Sequence, residues 1–290
     1  MPDESWTILK LLQWTTDYFE KNEVSEPRAS AEVLLAHVLA KDRLYLYLNY
    51  DRPMDSTELS AFRACIKRRL AGEPSQYITG IQEFWSLPIR VNPTVLIPRP
   101  ETEVLVQAAL EFIGPAQANI TIMDLGTGSG AIAIALAREL PTARIVATDV
   151  SMATLQLARE NARLNQVDGQ INFVQADMLA AISVGSQKFN LVVTNPPYVS
   201  HDDFSALPRE IRDYEPRHAL DGGVDGLTAI KHIIREAPTV LCQAGGLLLE
   251  MGAGQDESVS TLVRDSQDYQ NHQIIKDYSG IERVLLAIKQ

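Results

Sequence analysis

Residues Asn195, Pro196, Pro197 and Tyr198 combine a polar amide, two rigid backbone positions and an aromatic ring. They follow an apolar run, residues 189–194, whose short length and β-branched side chains are typical of a buried strand in a parallel sheet. Two successive prolines cannot continue that strand, because each fixes φ and lacks a backbone donor. The pattern predicts a stiff turn at the carboxyl end of a strand, where open α/β sheets bind ligands. Its amide and carbonyl oxygens could accept hydrogen bonds from a planar NH₂ group.

A second candidate site is the glycine-rich stretch that follows an earlier predicted strand. Glycine accepts positive φ and lets backbone N–H groups approach a ligand, while the start of the next helix favours an anion. Asp149 ends the following strand, where it could accept hydrogen bonds from both hydroxyls of a ribose. The predicted cofactor-binding residues at these two strand ends are Asp124, Gly126, Thr127, Gly128, Ser129, Gly130 and Asp149.

A nicotinamide dinucleotide and S-adenosyl-L-methionine would both suit a glycine loop and a ribose-binding acid. Two details favour S-adenosyl-L-methionine. The spacing is GxGxG with an acid two residues before the first glycine, and a methionine amine needs an acceptor, which Asp124 could supply. At the end of the third strand, Asp177 could accept from the adenine amine and Met178 could pack on the ring. Met178 is equally well explained as a gap-filling side chain at a turn.

The motif at residues 195–198 indicates which reaction the cofactor would serve: methyl transfer to a planar nitrogen. An amide nitrogen is a weak nucleophile, because its lone pair is delocalised into the carbonyl. We predict that the Asn195 side-chain oxygen and the Pro196 carbonyl each accept one N–H, so that the nitrogen faces the methyl group. As positive charge develops on nitrogen, these acceptors bind more strongly. Asn195 would thus touch both cofactor and substrate, with Pro197 shaping the turn and Tyr198 packing against the substrate or the cofactor.

The elements around these motifs alternate between strand and helix, which predicts a doubly wound parallel α/β sheet. The last two strands lack a helix between them and are joined by a turn at residues 277–280, so they should form an antiparallel hairpin at one edge. Seven strands with that ending are typical of Rossmann-like methyltransferases, whereas dinucleotide-binding domains usually end in a parallel strand. The predicted strands are residues 121–125, 144–148, 171–175, 191–194, 246–251, 273–276 and 283–288.

The chain before this sheet has a different pattern. Apolar residues recur at helical spacing without glycine from Trp6 to about Ala71, which predicts an all-α bundle domain over residues 1–80. Helix starts are indicated at Ser25-Glu26-Pro27 and at Asp55-Ser56-Thr57-Glu58. Apolar residues on both sides of Asn92-Pro93 predict a β-hairpin linker over residues 81–98. The methyltransferase domain would then span residues 99–290.

Residues 200–226 show little periodicity and are longer than a plain connection requires. We predict a lid or docking segment there, with clustered glycines that suggest mobility. An ordered surface crossover is the alternative. Arg99 and Glu101 could steady the cofactor or hold this segment.

Composition limits the partners and the compartment. The chain has 290 residues and a net charge of −11, and residues 99–290 carry 24 acidic against 15 basic side chains. This acidity disfavours direct binding of a nucleic-acid backbone.

Cys65 and Cys242 form neither a CxxC motif nor a Cys/His cluster, so no disulfide framework and no metal site are predicted. No signal peptide and no apolar run of membrane length are present, which predicts a cytoplasmic protein without a membrane partner. The oligomeric state is left open.

Several separated stretches resemble the bacterial release-factor glutamine methyltransferases, the HemK or PrmC family. The matching stretches are residues 96–103, 124–130, 195–198, 215–216 and 219–227. The resemblance implies that S-adenosyl-L-methionine is the cofactor and that the substrate is the glutamine of the Gly-Gly-Gln tripeptide in peptide-chain release factors, methylated on its side-chain amide nitrogen, N5. It also implies that the helical domain helps to dock the factor. One departure is Met178, where some members have an aromatic residue.

Other functions remain open at this point. The Asn-Pro-Pro-Tyr motif is shared with enzymes that methylate amino groups of nucleic acid, so N6-adenine methylation of RNA or DNA is the main alternative. A nicotinamide-dependent oxidoreductase and a non-catalytic S-adenosyl-L-methionine-binding module are further alternatives.

Overall fold

The computed structural model describes residues 6–114, 119–179 and 188–290. Their contacts divide them into two units. The first contains the residues up to Ile81 together with Pro208–Tyr214, and the second contains Gln82–Leu207 and Glu215–Gln290. The assignment of a docking role to one part and a catalytic role to the other stays a prediction.

Twelve α-helices and nine strands occur in the described residues, apart from two short 3₁₀ turns. The helices are α1 (Ile8–Lys21), α2 (Pro27–Leu39), α3 (Arg43–Leu48), α4 (Ser56–Leu70), α5 (Ser75–Thr79), α6 (Glu103–Ile113), α7 (Ala131–Glu139), α8 (Met152–Leu164), α9 (His201–Phe204), α10 (Arg209–Arg212), α11 (Thr228–Val240) and α12 (Asp256–Ser266). The strands are β1 (Ile81–Phe84), β2 (Leu87–Arg90), β3 (Thr121–Leu125), β4 (Arg144–Asp149), β5 (Ile171–Gln175), β6 (Phe189–Thr194), β7 (Leu241–Glu250), β8 (Tyr269–Lys276) and β9 (Glu282–Lys289). None of the helices among these residues is long and apolar enough to cross a membrane.

The first unit is the predicted helical bundle. Its core contains completely buried side chains from α1 and α2, among them Ile8, Phe19 and Leu34. The helix starts read from the sequence are confirmed: Pro27 is the first residue of α2, and Asp55 caps α4. Asp55 and Glu58 accept each other's backbone N–H groups at 2.8 and 3.0 Å, which satisfies two donors at the helix start.

A short piece of the chain between β6 and β7 packs with this bundle. In it, Glu210 of α10 forms an ion pair with Arg69 at 2.6 Å and accepts a hydrogen bond from the Ser25 hydroxyl at 2.8 Å. The Arg69 side chain is only 5% exposed, so this carboxylate neutralises a buried guanidinium. The Tyr214 hydroxyl donates to the Ala71 carbonyl at 2.9 Å. Residues 208–214 are therefore bound to the bundle by charge and hydrogen bonds.

The predicted hairpin exists, but its turn was placed wrongly. The turn is formed by Trp85 and Ser86, both with positive φ, and not by Asn92-Pro93. Two left-handed residues are what a tight hairpin turn requires, although Trp and Ser are unusual there. The Trp85 backbone N–H donates to Glu103 at 2.7 Å and its indole N–H donates to Glu139 at 2.8 Å, so contacts distant in sequence stabilise this conformation. Asn92 instead accepts the Thr94 N–H within an irregular segment.

The second unit is built on the predicted seven-stranded sheet, which is confirmed together with its antiparallel ending. The strand order is β5-β4-β3-β6-β7-β9-β8. The first five strands are parallel, and β9 runs antiparallel to both β7 and β8. Strand β7 begins five residues earlier than the sequence indicated, and its pairing with β6 shifts register between Phe189 and Leu191. The strand order reverses between β3 and β6, which is where such sheets bind ligands.

One buried amide fixes the hairpin to this unit. Asn161 of α8 is completely buried, and its side chain accepts the Arg90 N–H at 2.8 Å. Its amide N–H groups donate to the carbonyls of Arg90 and Ser129 at 2.9 and 2.8 Å. A single side chain therefore holds the second hairpin strand and the glycine-rich loop in fixed positions.

We expect Asn161→Ala to lower the free energy of unfolding by about 2–3 kcal/mol, because three backbone groups lose their partner. Urea denaturation followed by circular dichroism measures the change. The matched control is Asn271→Ala at an exposed position of β8, expected to change stability by about 0.5 kcal/mol or less. Equal losses for the two variants would contradict the role assigned to Asn161.

Candidate active site

A cleft lies at the carboxyl ends of β3, β4, β5 and β6, where the strand order reverses. Its volume is about 1060 Å³ including the open space at its mouth. It brings together most of the residues singled out from the sequence. Those lining it are Gly126, Thr127, Gly128, Ser129, Asp149, Asp177, Met178, Asn195, Pro196 and Pro197. Asp124, Gly130 and Tyr198 are not among the lining residues.

The glycine loop, residues 126–130, is shaped by bonds to neighbouring strands. The Thr127 N–H donates to the Thr148 carbonyl at 2.7 Å, and the Gly128 N–H donates to Asp149 at 3.1 Å. A side chain built at Gly126 would meet nothing within 4 Å, so the loop faces open space. Gly130, by contrast, is the residue before α7 and packs against α8.

Asp124 is completely buried behind this loop and does not form part of the cleft wall. One carboxyl oxygen accepts the Thr127 hydroxyl at 2.6 Å and the Ala133 N–H at 3.2 Å. Its other oxygen, Oδ1, has no hydrogen-bond partner among the described residues. Burial raises the pKa of Asp124 to about 7, and the nearby charge of Asp149 acts in the same direction. The observed contacts of Asp124 therefore shape the loop from behind.

Asp149 is held in place by backbone donors. Its two oxygens accept the Ser151 N–H at 2.9 Å and the Gly128 N–H at 3.1 Å. Each carboxylate oxygen retains a further lone pair, so the side chain can still accept hydrogen bonds within the cleft.

Across the cleft, Met178 has a left-handed backbone and lines the wall, while its side chain also packs against the core. Met178 therefore lies between the cleft and the core, and its packing on the adenine ring stays a prediction.

The corner, residues 195–198, presents free acceptors. The Asn195 amide nitrogen donates to the Thr102 hydroxyl oxygen at 3.1 Å, which fixes the orientation of the amide. Among the described residues, none donates a hydrogen bond to the Asn195 oxygen or to the Pro196 carbonyl. Two acceptors next to a cleft, with no internal donor, can bind the two N–H groups of a planar NH₂.

Tyr198 is the residue of the corner that does not line the cleft. Its partly buried ring packs against the core beside β7 and is not on the cleft wall. The hydroxyl donates to Glu250 at 3.3 Å. Burial, and then the charge of Glu250, raise the pKa of Tyr198. Tyr198 therefore anchors the corner to the core. Its contact with substrate or cofactor stays a prediction.

The glycines after the corner serve close packing. Val199 donates to the Leu220 carbonyl at 2.9 Å and accepts from the Gly222 N–H at 2.8 Å. A side chain at Gly222 would come within 2.8 Å of the Tyr198 Cα, and one at Gly226 would overlap the Tyr198 carbonyl oxygen. The close approach of two backbones explains these glycines, and mobility of residues 200–226 stays a prediction.

Arg99 pairs with Glu215, which is buried and also accepts the Ile97 N–H at 3.1 Å. Arg99 also lines the cleft, so both roles considered for it, steadying the cofactor and holding the segment after the corner, stay predictions. His218 and Thr102 line the cleft although sequence reasoning gave neither a role. Thr102 follows the Pro-Arg-Pro-Glu sequence that packs beside the cleft, and this proximity was the available signal for it.

The sheet topology and the cleft define a class of enzyme, the doubly wound methyltransferases. Residues 102–212 match the family model described as Methyltransferase small domain. The fold is similar to that of a methyltransferase from Pyrococcus furiosus, with a TM-score of 0.52 and 18% identity, covering 70% of this chain and 89% of that one. At this identity the likeness concerns the fold.

Full-length relatives specify the family. Residues 10–80 match the family model described as PrmC N-terminal domain. The release factor glutamine methyltransferase of Moorella thermoacetica is 43% identical over 267 residues, which cover 92% of this chain and 93% of that one. The one from Chlorobaculum tepidum is 41% identical and matches over the whole of both chains. The chain belongs to the release factor glutamine methyltransferase family, and the resemblance seen in the sequence is confirmed.

We expect Gly226→Ala to destabilise the protein more than Gly254→Ala. Both glycines have positive φ, +72° and +80°, so the conformational penalty is shared. Only at position 226 does the new methyl group meet other atoms, including the Gln255 side chain at 2.7 Å. The difference in the free energy of unfolding should be at least about 1 kcal/mol in urea denaturation. Equal stabilities would show that the close packing at Gly226 contributes nothing.

Proposed function

We propose that the protein transfers a methyl group from S-adenosyl-L-methionine to the N5 nitrogen of the glutamine in the Gly-Gly-Gln tripeptide of peptide-chain release factors. The observation that carries this proposal is the corner, which offers an amide oxygen and a carbonyl oxygen to the cleft and has no internal donor for either. A glutamine side chain has an NH₂ group with two donors, so it matches these acceptors. The names of the full-length relatives support the same substrate.

The cleft residues fit the cofactor. Asp149 is held by two backbone N–H groups and keeps lone pairs for ribose hydroxyls. Gly126 and Gly128 leave open space in front of the loop for the methionine end, and Asp177 and Met178 line the wall where adenine would bind. The buried Asp124 Oδ1 has no described partner but lies behind the loop and off the cleft wall, so its contact with the methionine amine stays a prediction. When bound, S-adenosyl-L-methionine supplies an electrophilic methyl group.

The protein's own residues position the glutamine amide and stabilise the positive charge that develops on its nitrogen. Asn195 Oδ1 and the Pro196 carbonyl would each accept one N–H of the glutamine and so fix the plane of its amide. The nitrogen lone pair would form a bond to the methyl carbon while the methyl–sulfur bond breaks and a neutral thioether leaves. The nitrogen would be transiently cationic and would then release one of its protons to water. Both acceptors interact more strongly with the cationic nitrogen than with the neutral amide, which lowers the barrier. Pro197 contributes rigidity to the corner.

The first unit is proposed to help dock the release factor. The family resemblance implies this role, and residues 10–80 match the PrmC N-terminal domain of that family. We further propose that the reaction takes place in the cytoplasm, in agreement with the free cysteines Cys65 and Cys242.

The decisive experiment supplies labelled S-adenosyl-L-methionine together with either a release factor or total RNA. We expect label in the release factor, and peptide mass spectrometry should locate it on the Gly-Gly-Gln glutamine. A release factor in which that glutamine is replaced by alanine is the matched control and should stay unlabelled. Label in RNA alone would replace the proposal by N6-adenine methylation, which the acidity of residues 99–290 disfavours.

We expect Asn195→Ala to lower kcat about a hundredfold or more, because one preorganised acceptor is lost. Binding of S-adenosyl-L-methionine, measured by calorimetry, should persist. Asn172→Ala, at an exposed position of β5, is the control and should leave kcat unchanged. Normal turnover by the Asn195 variant would remove this residue from the mechanism.

Asp149→Ala should weaken the binding of S-adenosyl-L-methionine about tenfold or more, because the ribose loses a charged acceptor. The same calorimetric titration measures it, with the exposed Asp168→Ala as control. Unmodified protein should give no heat with NAD. An unaltered dissociation constant in the Asp149 variant would place the ribose elsewhere.

A further inference from the structure

Gln255, the residue that precedes α12, has no role in the mechanism above, yet its side chain joins three separate parts of the backbone. Its amide oxygen accepts the Gly252 N–H at 2.8 Å. Its amide nitrogen donates to the Tyr198 carbonyl at 3.1 Å and, over a longer distance, to the Gly226 carbonyl at 3.4 Å. One side chain therefore connects the turn after β7, the corner and the end of residues 200–226.

Two glycines make room for this side chain. A Cβ at Gly226 would lie 2.7 Å from the Gln255 amide nitrogen, and one at Gly252 would lie 3.1 Å from its amide oxygen. Because the Gly252 N–H binds the oxygen end of the amide, the nitrogen end is directed at the two carbonyls. The position requires one acceptor and one donor side by side, which is what a glutamine amide provides.

The backbone of the corner has few other attachments of its own. Pro196 and Pro197 lack an N–H group and cannot donate a hydrogen bond. Among the described residues, Gln255 is the only donor to the Tyr198 carbonyl, and none donates to the three carbonyls before it. The fixed φ of Pro197 limits rotation between the Tyr198 carbonyl and the Pro196 carbonyl. Holding the first of these carbonyls therefore restricts the direction of the second.

We propose that Gln255 is a positioning residue for the transfer: by holding the Tyr198 carbonyl, it keeps the Pro196 carbonyl and the Asn195 oxygen directed at the substrate NH₂ group. Gln255 itself does not line the cleft, so it acts through the corner. A displacement of about 1 Å in such a group can cost about a hundredfold in rate. The inference rests on the proposed function, because it requires a substrate nitrogen that binds these two acceptors.

The first test compares two replacements of similar length in the full chain. Gln255→Glu keeps an acceptor for the Gly252 N–H but removes both donors, whereas Gln255→Met removes the acceptor as well. With S-adenosyl-L-methionine and a release factor, kcat should fall at least about tenfold in both variants. The KM for the release factor and the calorimetric Kd for the cofactor should stay within about twofold. Gln270→Glu, at an exposed position of β8, is the matched control and should keep its kcat.

Two results of this test would overturn the inference. A kcat of Gln255→Glu within about twofold of the original would show that the bond to Gly252 is the one that matters. A loss confined to KM or to cofactor affinity, with kcat unchanged, would show that Gln255 does not act on the reacting geometry. Circular dichroism identifies a variant that is unfolded at the assay temperature, and the other variant then decides. If neither folds, Gln255→Asn replaces them: it is too short to reach Gly252 and Tyr198 together, so the same loss of kcat is expected.

The second test asks whether the effect passes through the corner. In the Asn195→Ala background, the same replacement of Gln255 should lower kcat by no more than about threefold, because one of the two acceptors that Gln255 positions is already absent. An equal loss in both backgrounds would show that Gln255 acts independently of the corner and would overturn the inference.

These outcomes are separate from the fate of the proposed function. Transfer by the unmodified protein to the release-factor glutamine tests that function. If RNA is the only substrate methylated, the same variants are compared on RNA, since adenine also presents an NH₂ group, and the role of Gln255 is decided there.

Discussion

A corner with two consecutive prolines lacks two backbone N–H groups, so the hydrogen-bond ladder that holds β6 cannot continue into it. The corner must be held by its neighbours. Val199 is bonded to a returning strand-like segment, the Gln255 side chain donates to the Tyr198 carbonyl at 3.1 Å, and Thr102 accepts from Asn195. These attachments lie before and after the Pro196 carbonyl and leave it free. The same arrangement that makes the corner rigid therefore makes it available to a ligand.

Much of the scaffold could be predicted, because the signals for it are local. The strand and helix periods, the glycine loop and the helix-free connection between the last two strands are contained in short stretches of sequence, and the sheet follows from them. The hairpin turn is not of this kind. Trp85 and Ser86 have no turn propensity to read, and their left-handed conformation depends on Glu103 and Glu139, which are distant in sequence. Asn92-Pro93 has a high turn propensity, but it does not connect the two paired strands of the hairpin.

Within the site, residue types were easier to predict than the directions of side chains. The residues with backbone or polar groups at strand ends, such as Gly126, Asp149 and Asn195, line the cleft. Asp124 and Tyr198 are of equally suitable types, yet neither lines the cleft: Asp124 is buried behind the loop, and the partly buried Tyr198 packs against the core. A sequence pattern at a strand end does not specify whether the side chains of the last residues point into the cleft or into the core. The glycines at 222 and 226 illustrate the same limit, since their function depends on a backbone that the pattern does not reveal.

The placement of residues 208–214 has a consequence for how the chain can be divided. The polypeptide leaves the sheet unit after Leu207, contributes α10 to the helical unit and returns at Glu215. A single cut near residue 81 would therefore separate Arg69 from Glu210 and leave a buried guanidinium without its counter-ion, a change that typically costs about 3–5 kcal/mol. The contiguous part of the bundle is thus an incomplete folding unit, because the counter-ion of a buried cation is encoded more than a hundred residues further along the chain.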